Sequence, residues 1–342
     1  MQPVFDGHND ALIAEDHADI ARGRAGGHLD LPRMKAGGMR GGIFAVFTEA
    51  PEGEETRVER PDGVLEFAPT APVEQAAAAA NATAAAGRLH ALERAGELRI
   101  ARRTEDLDAA RDMDGPPVAV LHLEGAEAID PGLEALEFWY AAGLRSLGPV
   151  WSRPNAFGHG VPFVFPSSPD TGPGLTPAGG ELVRACAELG ILVDVSHLNE
   201  EGFWDLAQLE LGPIVASHSG AHARSAASRN LTDAQLDAIG DSGGLVGIVF
   251  ACPFLRADFA DDPDTPIELI AEHATHVADR IGIEHVALGS DFDGATIPEA
   301  VGDVAGMPRV LEALSGAGLT PSEIDAVAWG NWRRVLAAWW RD

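Results

Sequence analysis

Eight short apolar segments, each separated from the next by helical stretches, set the strongest limit on how this chain can fold. They cover residues 4–8, 42–47, 118–123, 144–150, 191–196, 214–218, 245–250 and 285–290. Most run almost unbroken in Val, Ile, Leu and Ala, as parallel strands buried on both faces do. Residues 73–98 form an Ala-rich helical run, and 133–141 a shorter one. Thr176-Pro177 opens the helical stretch to Leu189, with Pro at a first helical position. Thr232-Asp233-Ala234-Gln235 is a capping box, and Thr320-Pro321-Ser322-Glu323 caps a last helix. Trp329, Trp332, Trp339 and Trp340 lie at helical spacing along that helix and read as packing residues. Strands alternating with helices predict an α/β fold, a (β/α)8 barrel of the TIM type. With no composition break and no repeat, residues 1–342 are expected to form a single barrel domain.

In such a barrel the chemistry is expected at the C-terminal ends of the strands. Polar residues collect at those ends here. His8 and Asp10 close the first segment, and their spacing of two puts them on one side of a strand. Glu124 follows 118–123, His197 follows 191–196, His218 ends 214–218, and Asp291 follows 285–290. Carboxylates and imidazoles buried there without partners would be costly, and metal binding removes that cost for all of them together. Three His and two or three carboxylates exceed what one tetrahedral zinc needs. They fit two metals roughly 3.5–4 Å apart that share a carboxylate and a water. Glu124 stands alone on its strand end and is the natural bridge. Lys35, the one lysine, sits in a loop or helix end and is misplaced to bridge as a carbamate. Two long loops, 51–70 and 151–174, follow strands and are expected over the same face as a lid or substrate wall. The second holds Trp151, Arg153, Asn155, Phe157 and His159.

The formal net charge is −29, from 53 acidic and 24 basic residues, which argues against nucleic acid or an anionic membrane as partner. No apolar run is long enough to span a bilayer. Cys186 and Cys252 lie in apolar surroundings outside any CxxC motif. Together these features predict a cytoplasmic protein with reduced thiols.

The chain resembles the membrane (renal) dipeptidase family of the amidohydrolase superfamily. The resemblance is carried by Asp6-Gly7-His8-Asn9-Asp10, Leu121-His122-Leu123-Glu124-Gly125, Val193-Asp194-Val195-Ser196-His197, Ser217-His218-Ser219, Ser228-Arg229-Asn230, Gly289-Ser290-Asp291-Phe292-Asp293-Gly294 and Gly330-Asn331-Trp332-Arg333-Arg334-Val335. These motifs follow one another in order along nearly the whole chain. The resemblance implies a zinc dipeptidase with two Zn2+ ions per chain. By position, His8 and Asp10 correspond to ligands of one zinc, His197 and His218 to ligands of the other, and Glu124 to the bridge. Asp291 corresponds to the carboxylate that orients the attacking water and shuttles its proton, and Arg229 to the guanidinium that grips the substrate's α-carboxylate, with Asn230 beside it. The implied substrate is a dipeptide with a free C-terminal carboxylate, including L-D dipeptides, and the implied assembly is a homodimer.

The chain departs from the family pattern in two places. After the fourth strand the family's substrate-contacting His falls on Trp151, and His159, eight residues on, is the candidate to take over its role. After the seventh strand, where the family often has Tyr or Asn, Phe250-Ala251-Cys252-Pro253 makes a more apolar wall. Trp151 keeps open a related reading, a metal-dependent hydrolase of N-acyl amino acids. A binding relative that keeps the barrel without turnover is the remaining alternative.

Overall fold

A computed structural model describes residues 1–49, 57–59, 63–67, 71–111 and 115–341. Each of the eight apolar segments contains a strand: β1 (Val4–Asn9), β2 (Met39–Val46), β3 (Val118–Glu124), β4 (Leu144–Gly148), β5 (Leu192–Val193), β6 (Val215–Ser219), β7 (Leu245–Ile248) and β8 (Val286–Leu288). All are buried along their length, as their apolar sequences require. β1 to β5 pair in sequence order and in parallel, forming a curled half-barrel. β6 to β8 form a second parallel sheet. Isolated parallel bridges, Asp194 with Val215 and Asn9 with Phe292, link the two sheets at both seams.

Several observed strands are shorter than their apolar segments. β4 stops at Gly148, β5 at Val193, β7 at Ile248 and β8 at Leu288. Beyond β5 and β8 the chain presents polar side chains to a cavity. Asp291 and Asp293 do so with left-handed φ values of 62° and 70°. Gly7 lets β1 approach β6 and β8 closely. A Cβ there would lie 2.5 Å from Ser217 O and 2.8 Å from Leu288 O, distances no side chain tolerates.

Helices occupy the crossovers, among them Gln75–Ala95, Pro177–Leu189, Asp233–Asp241 and Glu268–Ile281. Thr232 and Gln235 make the reciprocal capping bonds their spacing predicts. The last helical region is interrupted by a π-helical turn, Ala326–Gly330, between Pro321–Asp325 and Asn331–Trp339. Its tryptophans pack: Trp329 meets Phe5 edge-on at 5.7 Å, and Trp332 Nε1 donates to Leu288 O at 3.0 Å.

The two long loops meet. Arg57–Glu59 and Leu65–Phe67 form an antiparallel pair, and the latter pairs with Val164–Phe165 of the 151–174 loop. Residues 50–56, 60–62 and 68–70 of the first loop lie outside the described residues. No helix among the described residues is long and apolar enough to cross a membrane.

Candidate metal centre and substrate cavity

His8, Asp10, Glu124, His197 and His218 converge at the C-terminal ends of β1, β3, β5 and β6. Glu124 Oε1 lies 2.8 Å from His197 Nε2 and 3.5 Å from both His8 Nε2 and His218 Nε2. His8 Nε2 lies 3.5 Å from Asp10 Oδ2. Two sets of three metal-ligating groups result, Glu124 with His197 and His218, and His8 with Asp10 and Glu124. Glu124 is common to both. Asp291 joins His8 and His218 in a further set of the same kind.

These groups fit divalent metal ions, and protein hydrogen bonds alone do not satisfy them. His8 Nδ1, His8 Nε2 and Asp10 Oδ1 are buried without a hydrogen-bond partner. His197 Nε2 and His218 Nε2 approach to 3.1 Å. Burial, reinforced by the Arg229 charge, lowers His197 to about 4, and burial with the neighbouring His8 takes His218 well below its ordinary value. Two neutral imidazoles facing each other through their lone pairs suit a cation between them. Burial resists charge on Glu124, yet His8 and His197 hold its carboxyl well below the usual range. Burial pushes Asp291 up to about 7, and the nearby Asp10 and Glu124 carboxylates add to the rise.

Beneath the ligands lies a layer of support that the motif reading passed over. His218 Nδ1 lies 2.8 Å from Ser217 Oγ, which donates onward to Asp194 Oδ2. Asp194 Oδ1 also accepts from the backbone N–H groups of Ser196 and Ser217 at 3.0 and 2.8 Å, tying β6 to the chain just beyond β5. His197 Nδ1 lies 2.8 Å from Ser152 Oγ. Asp6 accepts from Ser290 N–H at 2.7 Å and Oγ–H at 2.9 Å, joining β1 to the turn that carries Asp291. His122 Nδ1 meets Ser146 Oγ at 2.9 Å. Such partners fix imidazole tautomer and ring orientation. The signal was available: Asp6 and His8, and likewise His122 and Glu124, are two apart on one strand and share a face.

A cavity of about 1010 Å³ opens over this centre. Asp10, Glu124, His197, His218, Arg229, Asp291 and Trp151 all line it. Arg229 is buried; its Nη1 donates to Ser219 Oγ and its Nη2 to His218 O, while Nε has no partner. Burial lowers this guanidinium to about 10, leaving it charged at neutral pH. Trp151 lies against His197 at 5.7 Å between ring centroids, with Phe47 at 4.7 Å and Phe163 at 5.6 Å.

Two of the expected substrate contacts lie outside the lining of this cavity. His159 does not line the cavity; its Nδ1 meets Gly174 O at 3.1 Å, within its own loop. Asn230 is also outside the lining. Its Oδ1 accepts from Gly220 N–H and its Nδ2 donates to Ser225 O and Phe254 O, so it shapes the backbone around Arg229.

The family model for membrane dipeptidase (peptidase family M19) matches residues 1–339. A solved metallopeptidase from Rhodobacter sphaeroides, liganded with a phosphinate mimic of the dipeptide L-Ala-D-Ala, is 44% identical with a TM-score of 0.94, covering 99% of each chain. The solved dipeptidase AC, a metallopeptidase of family M19, is 44% identical with a TM-score of 0.92, covering 99% of this chain and 98% of that one. A Klebsiella pneumoniae protein from the pqqA 5′ region is 48% identical over 243 residues, 71% of this chain and 89% of its own length.

Proposed function

The chain belongs to the membrane dipeptidase family and is a metal-dependent dipeptidase, and from that premise we propose that it hydrolyses dipeptides with a free C-terminal carboxylate using two zinc ions. The observation that carries this reading is the pair of ligand sets sharing Glu124. His8 and Asp10 would hold one ion, His197 and His218 the other, and Glu124 both. Imidazole and carboxylate donors without thiolates suit zinc. When bound, the ions supply Lewis acidity at the scissile carbonyl and acidify the attacking water. The seam bridges between the two sheets support closure of all eight strands into a (β/α)8 barrel, with residues 1–342 as one domain. Two free buried thiols, Cys186 and Cys252, suit a cytoplasmic setting.

The chain's own side chains do the rest. Arg229 pairs with the substrate's α-carboxylate and so fixes how far the peptide bond reaches toward Glu124 and Asp291. Asp291 accepts the proton of the attacking water on a carboxylate oxygen and passes it to the departing amine. Trp151 and Phe163 wall off one side of the cavity and exclude water from it. The Rhodobacter sphaeroides neighbour's phosphinate ligand mimics an L-D dipeptide, which supports L-D as well as L-L substrates here.

The test is a substrate panel with zinc-loaded enzyme, with and without a chelator. Dipeptides should be cleaved and chelation should abolish cleavage. Hydrolysis of N-acyl amino acids in place of dipeptides would overturn the reading.

Replacing Arg229 by Ala should raise KM for dipeptides about 100-fold, the worth of a charge-assisted hydrogen-bonded pair of about 3 kcal/mol. The change in kcat should be smaller. Steady-state kinetics separate the two, and an unchanged KM would remove Arg229 from substrate recognition.

A further inference from the structure

We propose that this dipeptidase selects substrates whose C-terminal residue is apolar, aromatic or branched, and discriminates against acidic ones. The inference rests on the dipeptidase reading and deepens it. With the α-carboxylate held by Arg229, the C-terminal Cα lies between that guanidinium and the metal ligands. Its side chain must leave through whatever lines that interval.

The lining there is aromatic. The Phe254 ring is 6.0 Å from Arg229 Cζ, and Phe163 is 5.5 Å from Phe254. Phe163 in turn lies 6.4 Å from the His197 ring and 5.6 Å from Trp151, so the band runs unbroken from Arg229 to the metal ligands. Phe259, 6.1 Å from Phe254, extends it outward, and Ala251 and Pro253 fill the same wall. None of the phenylalanines, Ala251 or Pro253 offers a side-chain hydrogen bond. They offer apolar area and aromatic edges, which reward a Phe or Leu side chain.

Charge argues the same way from the other side. Among the described residues lining the cavity, Arg229 is the only Lys or Arg, and the α-carboxylate occupies it. Asp10, Glu124 and Asp291 belong to the metal centre and Asp293 is paired with Arg24, which leaves Glu49 and Asp261 as acids of the lining with no ion pair among the described residues. A second carboxylate on the substrate, directed away from the metal centre along this wall, would be desolvated with no side-chain cation to pair and with Glu49 and Asp261 in the same lining. The space itself imposes no limit on size, since about 1010 Å³ accommodates a dipeptide with a bulky side chain.

The experiment measures kcat/KM of the zinc-loaded enzyme on L-Ala-X dipeptides, with X as Phe, Leu, Ala, Asp or Glu in both L and D forms. Phe and Leu should exceed Ala by about tenfold, and Asp and Glu should fall below Ala. Acidic X cleaved as well as Phe would overturn the proposal while leaving the dipeptidase assignment standing. Cleavage of no dipeptide would instead overturn the assignment, and the proposal with it. Phe254→Ala should pull the Phe-to-Ala ratio toward one, and Phe163→Ala should do the same by removing the next ring in the band. A ratio unchanged in both folded variants would take the aromatic band out of selection.

Discussion

Exchanging Glu124 for Gln is expected to leave a folded chain that no longer retains a metal pair and that hydrolyses dipeptides about a thousandfold more slowly, or worse. The two side chains are nearly the same size, so packing around β3 should survive. What changes is charge and donor character. Glu124 Oε1 is the atom within 2.8 Å of His197 Nε2 and 3.5 Å of His8 and His218 Nε2. A neutral amide in its place presents either a weaker oxygen or an N–H group, and an N–H group cannot act as a ligand. Both ligand sets contain Glu124, so both should weaken together. A change at Asp10 touches only the His8 set and should spare the other. Elemental analysis after zinc loading and desalting measures the stoichiometry, and circular dichroism checks the fold. Two ions per chain in the Gln variant would refute the bridge.

The strands and their order were legible because buried parallel strands leave apolar runs that little else imitates. Their ends were less so. Asp194 and Ser196 are polar yet buried, and pairing there is reduced to the single Asp194–Val215 bridge while the Asp194 carboxylate gathers four hydrogen bonds from Ser196 and Ser217. Hydrophobic pattern registers burial, and burial continues past the point where pairing stops. The π-helical turn at Ala326–Gly330 left no pattern for the same reason, since its residues are apolar in helical spacing whichever hydrogen-bond ladder they use.

The convergence of the candidate metal ligands was legible because each stands at a strand end, where chain position alone predicts it. The loop residues were not. His159 and Trp151 belong to one irregular segment, and sequence spacing there does not say which of the two faces the cavity. The structure turns His159 back onto Gly174 O and leaves Trp151 on the cavity wall. Ser152 was hidden between them, a small hydroxyl whose importance lies only in its distance of 2.8 Å from His197 Nδ1.

Asp291→Asn should reduce kcat by about a hundredfold to ten-thousandfold, the range of a general acid–base group, with metal stoichiometry unchanged. The separation of these two effects is the point. Asp291 belongs with His8 and His218, but neither of the Glu124 sets needs it. Its backbone N–H donates to His8 O at 3.0 Å, and its carboxylate accepts no hydrogen bond from the described residues. That leaves both oxygens available to the reacting atoms. The turn is built to hold it there. Asp291 takes a left-handed φ of 62°, and a Cβ on Gly294 would come within 2.5 Å of Asp291 Oδ1 and 2.3 Å of Asp10 Oδ2. A Cβ at 294 would force both carboxylates to shift. Asn keeps the shape of Asp291 but cannot take up a proton at neutral pH, so the substrate should still bind and KM should move little. Paired measurements of kcat and zinc content decide the matter. Loss of metal in step with activity would make Asp291 a ligand first, and full activity in the Asp291→Asn enzyme would remove it from proton transfer.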